Sequence, residues 1–142
     1  MNEFLSLMKS NGALFAGAAG DNDILLTSNG LQVMRAAMLP SFLIDFFKNT
    51  GGIVLGNACI FGPVENKITG KYPIPSITEI NKDVSSLQQM HGKTIFGRND
   101  LFWFAFDAFG TCFMLDNMTL APLRKYDDPW RAMTDCLVIG KF

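Results

Sequence analysis

The stretch LFWFAFDAFGTCFMLD, residues 101–116, decides the fold class of this chain. Two apolar, aromatic-rich runs, 101–107 and 111–116, flank the sequence Ala-Phe-Gly. This pattern predicts an antiparallel hairpin, with Gly110 in the left-handed conformation in the turn. The first run does not alternate apolar and polar residues. We therefore expect both of its faces to be covered, one by a helix and the other by loops or a partner.

Segment 39–52 predicts a helix with a defined beginning and end. Pro40 stands at the first helical position, where the missing N–H costs nothing and φ is preset. Phe42 and Phe46 lie four residues apart and contribute to a wide apolar face. The glycines that close the segment predict a left-handed exit from the helix.

Two further helices are predicted near the ends of the chain. Phe4 and Met8 have helical spacing and predict a short N-terminal helix. Asp128 is a good N-cap and Pro129 a good first residue for a closing helix. Gly140 is the expected stop signal.

The intervening segments give less regular patterns. Residues 53–61 and 93–96 are strand-like, and 74–90 predicts an amphipathic helix that begins near a Pro-Ser pair. Residues 24–26 suit either a brief strand or the entry to a helix around 31–38.

Together these elements predict an α+β fold, with a small, mainly antiparallel sheet and helices packed mostly on one face. The length of 142 residues suits a single domain, 1–142. Hydrophobic residues make up 49% of the chain. Burial can therefore offset chain entropy without disulfide or metal staples.

The charge balance argues against direct contact with nucleic acid. Lys and Arg total 12, Asp and Glu total 13, and neither sign forms a long block. Arg124 and Lys125 are followed at once by Asp127 and Asp128, so they do not make the cation cluster that phosphate binding needs.

The compartment predicted from the sequence is the cytoplasm. Cys59, Cys112 and Cys136 are odd in number and widely spaced, which predicts reduced, mostly buried thiols without a disulfide or zinc site. The start of the chain lacks a basic region, and the longest apolar run, 101–106, is too short to span a bilayer.

No catalytic, metal or cofactor site is predicted. His91 is the only histidine, so an enzyme would have to be built around it and one cysteine. The Asp-Asn-Asp sequence at 21–23 lacks the further ligands of a calcium loop. The aromatic residues around Trp103 are expected in the core. We expect Phe109 to fold back over the sheet, the alternative being that it contacts a partner.

The order of these motifs resembles the SUKH superfamily. The resemblance is carried by Leu39-Pro40 with Phe42, Phe46 and Phe47, by Asn49-Thr50-Gly51-Gly52, by Asp107-Ala108-Phe109-Gly110-Thr111, and by a closing helix that starts at Trp130. It covers residues 39–139 best and residues 1–38 weakly. Thr50 interrupts the usual Asn-Gly-Gly, and an acidic helix is missing before Leu39.

The resemblance implies a bacterial immunity protein that binds and neutralises a polymorphic toxin, often a nuclease, inside the cell that makes it. The same fold also occurs in eukaryotic regulators of cell-wall assembly. We therefore predict a protein partner, and the predicted contact residues lie in loops: Arg98, Asn99, Asp100, Phe109, Asp127 and Asp128. The alternative is a regulatory module that binds a ligand or peptide between the sheet and the 39–49 helix.

Overall fold

The computed structural model of the chain describes residues 1–68 and 73–138, and it confirms an α+β fold. The helices within these ranges are α1 (Asn2–Ser10), α2 (Asp21–Val33), α3 (Ser41–Phe47), α4 (Ile77–Lys82) and α5 (Pro129–Val138). The strands are β1 (Leu14–Phe15), β2 (Ile53–Leu55), β3 (Ala58–Ile60), β4 (Lys93–Arg98), β5 (Phe102–Asp107), β6 (Cys112–Asp116) and β7 (Pro122–Tyr126).

The described strands form one antiparallel sheet in which each strand pairs with the next along the chain. The predicted hairpin is confirmed as β5 and β6, with Phe106 opposite Cys112. Gly110 closes its turn with a φ of +79°, a conformation that costs glycine little. The sheet is therefore a meander, in which sequence neighbours are also neighbours in space.

Helix α5 crosses one face of this sheet and contacts strands from β2 to β7. Phe42 of α3 packs on the same face, with ring centroids 6.2 Å from Phe96, 6.5 Å from Phe106 and 5.9 Å from Trp130. Ala105 points to the opposite face from Phe106 and is also fully buried. The centre of β5 is thus covered on both faces by the chain itself.

Helix α4 lies beside β4, where β3 no longer accompanies it. Ser76 caps this helix by accepting a hydrogen bond from the Glu79 N–H at 3.2 Å. The buried Asn81 amide accepts from the Ile95 N–H at 2.8 Å and donates to the Ile95 carbonyl at 2.9 Å. Asn81 therefore satisfies the Ile95 backbone groups as a neighbouring strand would. Helix α2 packs against α4.

Several predicted boundaries are corrected. Segment 53–61 is a hairpin of β2 and β3, because Gly56 takes a φ of +61° and turns the chain. The helix predicted over 74–90 ends at Lys82, and only a short 3₁₀ turn follows at Gln88–Met90. Residues 24–26 belong to a helix, which starts earlier than expected.

Two predicted helix ends also differ. Pro40 is the N-cap of α3 with an extended ψ of 162°, so the helix begins one residue later. The residue after α3, Lys48, keeps a right-handed conformation, and the positive φ occurs at Gly52. Arg98 is the last residue of β4 and not part of a turn. The expected stop at Gly140 lies outside the described residues.

Candidate partner-binding surface

The six predicted contact residues fall into two groups at opposite ends of the sheet. Arg98, Asn99 and Asp100 lie where β4 leads into β5, and Phe109 lies where β5 leads into β6. A six-residue strand such as β5 separates the two ends by about 17 Å. The remaining two, Asp127 and Asp128, follow β7 at the Phe109 end, because Tyr126 pairs with Cys112.

Most polar groups of the β4–β5 turn form hydrogen bonds within the molecule. The Asn99 side-chain oxygen accepts from the backbone N–H groups of Leu101 at 2.9 Å and Phe102 at 2.8 Å. Its amide nitrogen donates to the Cys136 carbonyl at 3.1 Å and so ties the turn to α5. The exposed Asp100 accepts from Asn57 at 3.2 Å. Asn99 is thus a structural residue in this position.

Arg98 combines exposure with ordered packing. Its guanidinium lies over the rings of Phe61 and Trp103, 5.8 Å from each centroid. Burial raises the pKa of the Cys59 thiol on the neighbouring strand, and the Arg98 charge opposes this shift. The cation is therefore fixed over aromatic rings, a geometry that contributes about 0.5–1 kcal/mol at exposed sites.

Phe109 projects from the opposite end of the sheet, and its side chain is 93% exposed. The prediction that it folds back over the sheet is wrong. Asp107 holds the turn, since its carboxylate accepts from the N–H groups of Phe109 at 2.9 Å and Thr111 at 3.0 Å. Backbone hydrogen bonds from Gly110 to Asp107 and from Asp107 to Thr111, each 3.0 Å long, complete the turn. The ring is thus presented to solvent by a tightly bonded turn.

Charged side chains of both signs lie at the base of this turn. Asp128 caps α5 as predicted, because it accepts from the Trp130 N–H at 3.0 Å, and both it and Asp127 are exposed. Burial raises the pKa of Cys112 to about 12, and the charges of Asp107 and Asp128 add to this shift. These two carboxylates therefore lie close to the base of the hairpin, where Lys93 is the register partner of Asp107.

A groove of about 350 Å³ lies next to Asp128. Phe4 and Trp130, with ring centroids 5.7 Å apart, form its apolar part, and Glu3 adds a further carboxylate. We call Phe109, Asp127, Asp128 and this groove the hairpin surface. Sequence reasoning did not group Glu3 and Trp130 with Asp128, because only the packing of α1 against α5 brings them together.

The space proposed for a ligand between the sheet and α3 is filled by aromatic rings. Phe46, Phe47, Phe96 and Phe106 are fully buried there or beside it. Neighbouring rings in this layer have centroid separations of 5.9 to 6.5 Å, which are ordinary packing distances.

The cysteines are unsuited to nucleophilic attack at neutral pH. All three are free and buried, and burial raises the pKa of each thiol, so the reactive thiolate is disfavoured. His91 is exposed after the 3₁₀ turn. Within residues 1–68 and 73–138, no three His, Cys, Asp or Glu side chains are grouped so that they could hold a metal ion.

None of the helices in the described part of the chain has the length and apolar character needed to cross a membrane. The sequence matches no protein-family model, and no curated protein is significantly similar to it.

Proposed function

We propose that this chain is an immunity protein that binds a toxin domain stoichiometrically and blocks its active site inside the producing cell. The observation that carries the proposal is the nearly complete exposure of Phe109 on a turn fixed by Asp107, at the end of the sheet that also carries the exposed Asp127 and Asp128. A large ring in water gains free energy when it is buried in a partner's pocket. A turn that is already ordered loses little entropy on binding.

The charges near Phe109 support a basic partner. Asp127 and Asp128 are exposed beside the hairpin, and Glu3 lies in the adjacent groove. Arg131 also lines this groove, and it shares Asp135 with Arg124, at 3.3 and 3.0 Å, so one carboxylate offsets two cations. A nuclease binds phosphates with cations, so the exposed carboxylates near this aromatic anchor complement such a site and accelerate encounter. The resemblance to the SUKH superfamily favours the same class of partner.

Coexpression tests this proposal. We expect cells that make the cognate toxin domain to survive when they also make this chain. Truncating an anchor residue in an interface costs 2 kcal/mol or more in binding, so Phe109→Ser is expected to weaken binding by roughly 30-fold or more. Isothermal titration calorimetry with a catalytically inactive toxin measures this loss.

Met118→Ser is the matched control, since Met118 is 85% exposed on the next hairpin turn of the same sheet. We expect its affinity to equal that of the unmodified protein. Continued killing despite good expression of the folded chain contradicts the proposed function. Equal losses for the two variants contradict the role given to Phe109.

A further inference from the structure

The tripeptide Ser-Asn-Gly occurs twice in the chain, at 10–12 and at 28–30. An asparagine before glycine is chemically reactive, because glycine has no side chain to shield its backbone nitrogen from the asparagine amide. The nitrogen can attack the side-chain carbonyl carbon and expel ammonia. This reaction closes a five-membered ring, so the backbone between the two residues must first rotate. The structure gives the two copies very different freedom to do so.

The second copy, Asn29-Gly30, is held inside α2. Thr27 and Leu31 are buried on either side of the pair. Gly30 packs against α4, since a Cβ placed on it would lie 3.4 Å from the methyl group of Thr78. The Asn29 side chain is exposed, but its backbone can rotate only if α2 opens.

The first copy, Asn11-Gly12, lies at the end of α1, where Asn11 is the C-cap. The Gly12 N–H donates to the Lys9 carbonyl at 3.1 Å, and the Asn11 side-chain amide donates to the Leu7 carbonyl at 2.8 Å. Gly12 is exposed, with a φ of +81° and open space where a Cβ would stand. The ends of helices open at little cost in free energy, so these terminal bonds break readily.

We propose that Asn11 is a site of spontaneous modification, at which asparagine converts to aspartate or isoaspartate. Opening of the α1 end frees the Gly12 N–H, which loses its proton to hydroxide. The nitrogen then forms a bond to the side-chain carbonyl carbon of Asn11, and the amide group takes a proton from water and leaves as ammonia. Water hydrolyses either C–N bond of the resulting succinimide ring, which gives the two products.

Both products weaken the end of α1. A carboxylate at residue 11 lies at the C-terminus of a helix, where the helix dipole disfavours negative charge. Isoaspartate also adds a carbon to the backbone, which disturbs the hydrogen bond of 3.0 Å from the Ala13 N–H to the Met8 carbonyl. Met8 and Phe4 bury the inner face of α1, and Phe4 also lines the groove of the hairpin surface. The modification therefore loosens an element beside the proposed binding surface.

Peptide mapping by mass spectrometry tests the proposal on the isolated chain, incubated at mildly alkaline pH. We expect conversion at Asn11 to be roughly tenfold or more faster than at Asn29, because opening α2 costs at least about 1.4 kcal/mol more than opening the end of α1. Concentrated urea removes both helices. The two rates should then become equal, since the neighbouring residues in the sequence are the same.

Leu31→Ala tests whether helix order protects Asn29. It removes a buried side chain from α2, so conversion at Asn29 should accelerate while conversion at Asn11 stays unchanged. Conversion at Asn29 that equals or exceeds that at Asn11 in the folded chain overturns the proposal. The same holds if Asn11 stays intact in the folded chain but converts in urea. These outcomes do not depend on a toxin partner, because the experiments use the isolated chain.

Discussion

Two hairpin turns at opposite ends of β6 share one construction. In the turns 107–111 and 116–120, an aspartate carboxylate accepts hydrogen bonds from N–H groups two residues and three or four residues ahead. A large apolar residue at the third position then points to solvent, with Phe109 93% and Met118 85% exposed. The exposure of these residues therefore follows from local turn geometry.

The turns differ in how they end and in what surrounds them. Gly110 closes the first, whereas Leu120 in the second takes a φ of +60° with its side chain only 7% exposed. Each turn has its own aspartate, Asp107 or Asp116, but the Phe109 end of the sheet also carries the exposed Asp127 and Asp128. An exposed apolar side chain is therefore a poor guide to a binding site by itself, and its surroundings separate Phe109 from Met118.

The largest effect is expected at Leu120. Leu120→Ala removes a buried side chain and is expected to cost about 2–3 kcal/mol in the free energy of unfolding. Leu120→Gly should cost about 1 kcal/mol less, because glycine adopts the positive φ without strain. Urea denaturation measures both values. At Leu115, which is buried in β6, the order should reverse, with glycine the more costly substitution. The same order at both positions would refute the strain assigned to Leu120.

A smaller effect is expected when the first turn loses its carboxylate. Asp107→Ala leaves two backbone N–H groups without their acceptor and is expected to cost about 1–2 kcal/mol in the free energy of unfolding. Asp107→Asn keeps an acceptor oxygen, so it should retain most of the stability. If the ordered turn positions Phe109 for binding, toxin affinity should also fall more for Asp107→Ala than for Asp107→Asn. Full affinity of a folded Asp107→Ala variant would show that turn order is not needed.

The smallest effect is a pH dependence of the second turn. Backbone hydrogen bonds from Thr119 and then Met118 lower the pKa of Asp116 below its ordinary value of 3.8. The resulting stability is fully present above the unfolded-state pKa, and it is lost as pH falls through the lower folded-state pKa. Urea midpoints from neutral pH to below 3.8 should fall more for the unmodified chain than for Asp116→Asn. Parallel curves would contradict this assignment.

The fold class was predictable because its strongest signals are local. The β5–β6 hairpin and the Asp128 cap depend on residues close together in sequence, and both are confirmed. The extent of α4 was not predictable, because the apolar spacing continues after Lys82 although the helix ends there. Asn81 also has no local signal, since its partner Ile95 belongs to another element.

The candidate surface was predictable only in part. Loop composition identified Phe109 and Asp128, but it gave no information on which loops share an end of the sheet. It also selected Asn99, whose amide proves to be a tether to Cys136 of α5. Polar residues that bind a partner and polar residues that hold a turn have the same composition, so only their hydrogen bonds distinguish them.

The pairing of Asn81 with Ile95 affects the risk of aggregation during folding. Beyond the end of β3, the outer edge of β4 would otherwise offer an open N–H and carbonyl to a strand from another molecule. A side-chain amide occupies both groups, so this edge is closed only after α4 has docked. Until then, the newly made chain exposes an unpaired edge of β4. The rate of α4 docking therefore sets how long aggregation can compete with folding.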